Sequence, residues 1–205
     1  MRTNIFTTIA LAGSLSVAAA NCGNVNQGPS PTIVRIDALE AASGASPATF
    51  GGTLDSDVIT VKKINNVDTP TIFGDLGRVT MELALKDPGV PGITNVPSPL
   101  NIVTFDHYRV VYQRTDGHNT QGTDIPYAFD SGITFSVPAN ATVQASFELV
   151  RVSAKADVPL KALQSSGAVI NTIANVTFYG HDQAGNNVQI TGSIGIAFAN
   201  FGDPS

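Results

Sequence analysis

The stretch ANVTFYGHDQAGNNVQITGSIGIAF, residues 174–198, decides how this chain folds. Ala174, Val176 and Phe178 alternate with Asn175, Thr177 and Tyr179, a period of two that puts the apolar set on one face of a strand. The same period returns at Val188, Ile190, Gly192, Ile194, Ile196 and Phe198, against Gln189, Thr191, Ser193, Gly195 and Ala197. Between the runs lies GHDQAGNN, 180–187, rich in turn-forming residues. The pattern predicts two half-buried strands joined as a hairpin.

Working outward, the rule repeats. Val79, Met81, Leu83 and Leu85 alternate with Thr80, Glu82 and Ala84, and Tyr108, Val110 and Tyr112 alternate with Arg109, Val111 and Gln113. Ile133, Phe135 and Val137 form a short strand closed by Pro138, and Phe147 and Leu149 mark another. Thr32 to Ala38 and Val58 to Val61 are weaker strand candidates. About eight strands at this spacing suit a sandwich or barrel. Helix is confined to single turns, one at Leu160–Ser165 after Pro159 and one at Ala38–Ala42. The Pro- and Gly-rich run DPGVPGITNVPSP, 87–99, is expected as a long loop within one all-β domain over residues 32–205.

From Ala174 through the turn to Val188, the pattern A-x-V-x-F-x-G-x-D-x-x-G-N-x-V resembles the last hairpin of bacterial immunoglobulin-like domains. The match covers about 30 residues once the final strand is included. The resemblance implies an immunoglobulin-like antiparallel β-sandwich, and a binding or structural module rather than a reaction. With no Trp and a single Cys, the disulfide-and-Trp core of antibody domains is absent.

The other informative end is the first. Met1-Arg2 is followed by a mostly apolar or small run, Ile5 to Ala20, and the stretch closes as Ala18-Ala19-Ala20-Asn21-Cys22. This is the layout of an export signal over residues 1–21. Thr7, Thr8, Ser14 and Ser16 dilute it below the run of about 20 apolar residues that a membrane span needs. Two readings of the cut compete. Ala18-Ala19-Ala20 can serve as an A-x-A site that leaves Cys22 a free thiol. Alternatively, Ala19-Ala20-Asn21-Cys22 resembles a bacterial lipobox, with Asn21 and Ala19 departing from its usual residues. Chemistry favours the second, because an exported protein seldom keeps one unpaired thiol. Cys22 is therefore expected to carry lipid, anchoring the chain to a membrane at the periplasm or cell surface. Residues 22–31 read as a flexible tether.

Composition narrows the partners. The 205 residues hold 11 Lys and Arg against 16 Asp and Glu, and this acidic balance argues against nucleic acid. An envelope or surface protein fits better as partner. No cofactor is expected, because no nucleophile elbow, HExxH, phosphate-binding Gly-rich loop or CxxC occurs. His107, His118 and His181 each sit near an aspartate, respectively Asp106, Asp116 and Asp182, which is metal-site chemistry. A site there needs the loops carrying His118 and His181 at the same end of the fold. Asp116, Asn119, Asp124, Asp182, Asn186 and the run Asp55-Ser56-Asp57 have oxygens suited to calcium, yet turn formation accounts for them equally. Tyr108, Tyr112 and Tyr127 would form a sugar-stacking face if exposed, which is the basis of a carbohydrate-binding alternative. The exposed, polar loops 117–127 and 180–187 are the candidate contact surfaces, with Asp116, His118, Asn119, Asp124, His181, Asp182 and Asn186 as their candidate residues.

Overall fold

Alternating burial organises the chain into β1 (Thr32–Ala42), β2 (Thr53–Asp57), β3 (Thr60–Ile64), β4 (Val67–Thr71), β5 (Asp75–Leu85), β6 (Gly89–Val90) and β7 (Ile93–Thr94). There follow β8 (Val103–Gln113), β9 (Phe129–Val137), β10 (Val143–Val150), the short helices α1 (Val152–Lys155) and α2 (Leu160–Leu163), β11 (Ile170–Asp182) and β12 (Asn187–Ala199). The computed structural model describes residues 29–96, 98–139 and 141–202. The predicted export signal, Cys22 and most of the tether lie outside these residues. The fold is all-β.

Two sheets share the core. One has the order β1-β5-β10, and the other β2-β12-β11-β8-β9. The hairpin read from residues 174–198 is present, in antiparallel register from Ile170 opposite Phe198 to His181 opposite Asn187. Its Ala174, Val176, Phe178, Val188, Ile194, Ile196 and Phe198 are buried. The 87–99 run holds the small hairpin β6–β7, followed by a 3-10 turn at Pro99–Asn101.

Four expectations are corrected. Ala38–Ala42 is not helical but the second half of β1, displaced by a bulge between Ile36 and Ala38 that breaks the period of two. Val58–Val61 is not one strand, since β2 ends at Asp57 and β3 begins at Thr60. The sheets are not wholly antiparallel, because β2 pairs in parallel with β12, Leu54 opposite Ile196. Ser30 and Pro31, assigned above to the tether, already belong to the folded part: Ser30 is buried and the Pro31 carbonyl accepts the Lys86 N–H.

Phe178 is the hub of the core. Its ring meets Phe147 at 5.3 Å between centroids, Tyr108 at 6.1 Å and Phe105 at 6.3 Å. Phe147 belongs to the three-stranded sheet, so this contact joins the two layers. Two hydroxyls add directional ties. Tyr108 and Tyr112 on β8 donate to the carbonyls of Glu148 and Leu149, at 3.0 and 2.7 Å, satisfying acceptors of an edge strand. Gly77 lies beneath the Phe147 ring, where any Cβ would collide with it.

Register also sorts the loops. Thr32 lies opposite Leu85, and Val103 opposite both Asp182 and Val137. The chain entry at Ser30, the 86–102 excursion and the β11–β12 turn therefore share one end. Ala42 lies opposite Leu76 and Ile173 opposite Gln113, which puts the 43–52 and 114–128 loops at the other.

That second end contains a buried ion pair. Lys155 Nζ lies 2.8 Å from Asp75 Oδ1 and donates to the Asp57 carbonyl at 2.8 Å. Ser56 Oγ donates to Asp75 Oδ2 at 2.5 Å, and the Gly44 N–H to Oδ1 at 2.9 Å. Burial lowers the Lys155 pKa, against the opposing pull of Asp75.

Phe178→Ala is expected to cost about 3–5 kcal/mol in urea unfolding, as for other fully buried rings. Lys155→Met leaves the Asp75 carboxylate buried without its cation and is expected to cost about 3–5 kcal/mol. Adding Asp75→Leu to it is expected to recover part of that loss. A double variant destabilised by the full sum of its single losses would show that the two groups are not coupled.

Candidate functional site

The two loops proposed as contact surfaces do not meet. β8 and β11 run antiparallel, so His118, just past the end of β8, and His181, at the end of β11, lie at opposite ends of the sheet. The shared His118–His181 site is thereby excluded.

The 114–128 loop is held by its own polar side chains. The Asp116 carboxylate receives Arg114 Nε at 3.0 Å and the His118 N–H at 3.2 Å, and His118 Nδ1 lies 3.5 Å from it. Asn119 Oδ1 accepts the Arg114 N–H at 2.6 Å and Asn119 Nδ2 donates back to the Arg114 carbonyl, while Asp124 accepts the Thr120 N–H. The Arg114 guanidinium, with the His118 N–H, brings the Asp116 carboxyl down to about 2. The Thr120 N–H and hydroxyl likewise lower Asp124. Gly122 takes a positive φ of 76°, directly beneath the Tyr127 ring.

The β11–β12 turn is built the same way. Asp182 Oδ1 accepts from the N–H groups of Ala184 and Asn186, both at 2.9 Å, and Oδ2 accepts from Asn186 Nδ2 at 2.8 Å. Burial pushes the Asp182 carboxyl up, but the bonds from Asn186, Ser30 and Ala184 outweigh it and leave it lowered. In both loops the oxygens that a cation would need already accept from N–H donors. Asp57 follows the same pattern, accepting from Thr60 Oγ1 and the N–H groups of Ile59 and Phe201. It lines a cleft of about 320 Å³ with Asp55, Ser43, Lys62 and Phe201.

Histidine and carboxylate converge at one place, where the predicted His107–Asp106 pair forms and His181 joins it rather than pairing with Asp182. Asp182 is turned inward, and His181 Nδ1 lies 3.6 Å from Asp106 instead. Asp106 also pairs with His107, whose imidazole stacks on Tyr179 at 4.7 Å and 8° between planes. A bulge makes this possible. Asp106 has no partner residue in the register with either neighbouring strand, so both Asp106 and His107 face solvent. Strict alternation would separate them, and sequence reasoning missed the group for that reason. Both Nδ1 atoms lie within ion-pair range of the one carboxylate. Among the described residues no group of three or more His, Cys, Asp or Glu is placed to hold a metal ion.

The aromatic face is also dispersed. Tyr108 and Tyr112 are buried, and only Tyr127 of the three is exposed, at 63%. The stacking platform needed by the carbohydrate alternative is not assembled. No family model, no curated protein and no solved structure matches the chain.

In an NMR titration the Asp116 carboxyl is expected to show a midpoint near 2, and Arg114→Gln to move it up toward the ordinary carboxylate range. Because the folded value lies below the unfolded one, the contribution of Asp116 is complete above that range and is lost as pH falls through about 2. A midpoint unmoved by the substitution would rule out the guanidinium as its cause.

Proposed function

We propose that this chain is an exported, lipid-anchored module of the bacterial cell envelope, an immunoglobulin-like β-sandwich with a non-enzymatic protein-binding or structural role. The observation that carries the fold part is strand order. The reading of β1, β5 and β10 as strands A, B and E, and of β8, β9, β11 and β12 as C, C′, F and G, is supported by their division between the two sheets, with no strand D assigned and β2 added in parallel beside β12. Where antibody domains place Trp on strand C, this chain has Tyr108 and Tyr112, whose hydroxyls tie that strand to strand E.

The anchor rests on Cys22, the only cysteine of the chain, directly after a signal-like segment. Seven residues, 23–29, separate it from the buried Ser30. The end loops, made rigid by their own Asp and Asn side chains, supply contact surface at low ordering cost. The partner is another protein of the envelope or cell surface.

Metabolic labelling with a clickable fatty acid is expected to mark the native protein and not Cys22→Ser. Mature protein that takes no label and stays in the soluble fraction would overturn the anchor.

A further inference from the structure

The excursion between β5 and β8 reverses the usual arrangement of a surface loop. Residues 88–102 include no charged side chain. Their polar groups are used inwardly, to order the backbone. Asp87 Oδ1 accepts the Gly89 N–H at 2.9 Å, Asn95 donates its N–H to the Pro88 carbonyl at 3.0 Å, and Ser98 and Asn101 cap the 3-10 turn reciprocally. Their apolar groups point outward. Ile93 is 73% exposed, Val96 77% and Leu100 78%, and Val90, opposite Ile93 across the β6–β7 hairpin, is 59% exposed. Water is a poor solvent for such a surface, and an apolar patch of this kind marks a contact.

The chain's own path says which contact. The excursion leaves from Leu85, whose partner in register is Thr32, so it shares an end with the point where the N-terminal segment enters the fold. That entry is fixed: Ser30 is buried and bonded to Thr32 Oγ1 at 3.0 Å, and the Lys86 N–H holds the Pro31 carbonyl. The eight residue steps from Cys22 to Ser30 reach at most about 28 Å. A lipid on Cys22 therefore keeps this end within about 28 Å of a bilayer.

We propose that the 88–102 excursion is a second membrane contact, with Val90, Ile93, Val96 and Leu100 entering the headgroup–acyl boundary and the β8–β9 loop held away from it. The inference rests on the lipid anchor proposed above. A short acyl anchor and a small apolar wedge act together where each alone binds weakly. The domain then stands on the bilayer with one orientation and offers its 114–128 end to partners.

The chain has no Trp, so a single introduced indole reports without background. Full-length acylated protein carrying Ile93→Trp or Val96→Trp is reconstituted into phosphatidylethanolamine–phosphatidylglycerol vesicles with brominated acyl chains. His118→Trp, at the far end, is the control. Emission from positions 93 and 96 is expected to be quenched and blue-shifted, and emission from 118 unchanged. Intact mass is read on the same samples. Lipid mass on Cys22 with no quenching at 93 and 96 would overturn this inference and leave the anchor standing. Equal quenching at 118 would overturn the orientation, and absence of lipid mass would overturn the anchor and this inference together.

Discussion

The contact between Lys155 and Asp75 is the constraint on which the rest of this fold depends. The two groups are fully buried, and each would be costly to bury alone. Their neighbours make the burial tolerable. The Ser56 hydroxyl, the Gly44 N–H and the Asp57 carbonyl complete the hydrogen bonding, and among the described residues no buried side-chain nitrogen or oxygen lacks a partner. Three stretches that are far apart in the chain converge on this point: the 43–52 loop with β2, the start of β5, and α1. It is also where the chain leaves one sheet for the other, between the end of β1 and the start of β2. Apolar packing alone would tolerate several positions for that crossover, whereas a buried charge with a fixed set of donors accepts one.

The layer structure was legible in the sequence because most strands bury one face only. Alternation at 174–179, 188–198, 79–85 and 108–112 maps directly onto buried and exposed sides in β11, β12, β5 and β8. It failed where a bulge shifts the phase, as between Ile36 and Ala38, where the following alanines then look helical. It was silent on the parallel pairing of β2 with β12, which joins residues with no local relation. Lys155 gave no sign at all, since nothing around it in the sequence distinguishes a buried ammonium from a solvated one.

The loops were legible in their chemistry and not in their placement. Asp116, Asn119, Asp124, Asp182 and Asn186 are turn-forming residues, and each makes the short-range bonds that such residues favour. Which loops meet depends on strand direction, and antiparallel β8 and β11 separate His118 from His181. The bulge at Asp106 then moves His181 from the carboxylate beside it in sequence to one on the next strand. A one-residue insertion in a ladder is invisible to any periodic rule, yet it decides which side chains touch.

The pairing of β2 with β12 also bears on the order in which the molecule can assemble. A chain is made from its N-terminus, and β2 must wait for the last strand before its ladder can form. The bond from the Phe201 N–H to Asp57 spans 144 residues. Closing so long a loop comes late and slowly, because most of its entropy is lost before any contact compensates. Until β12 arrives, β2 and the inner edge of β11 remain open to other strands, and any holdase that shields such edges has its period of use there.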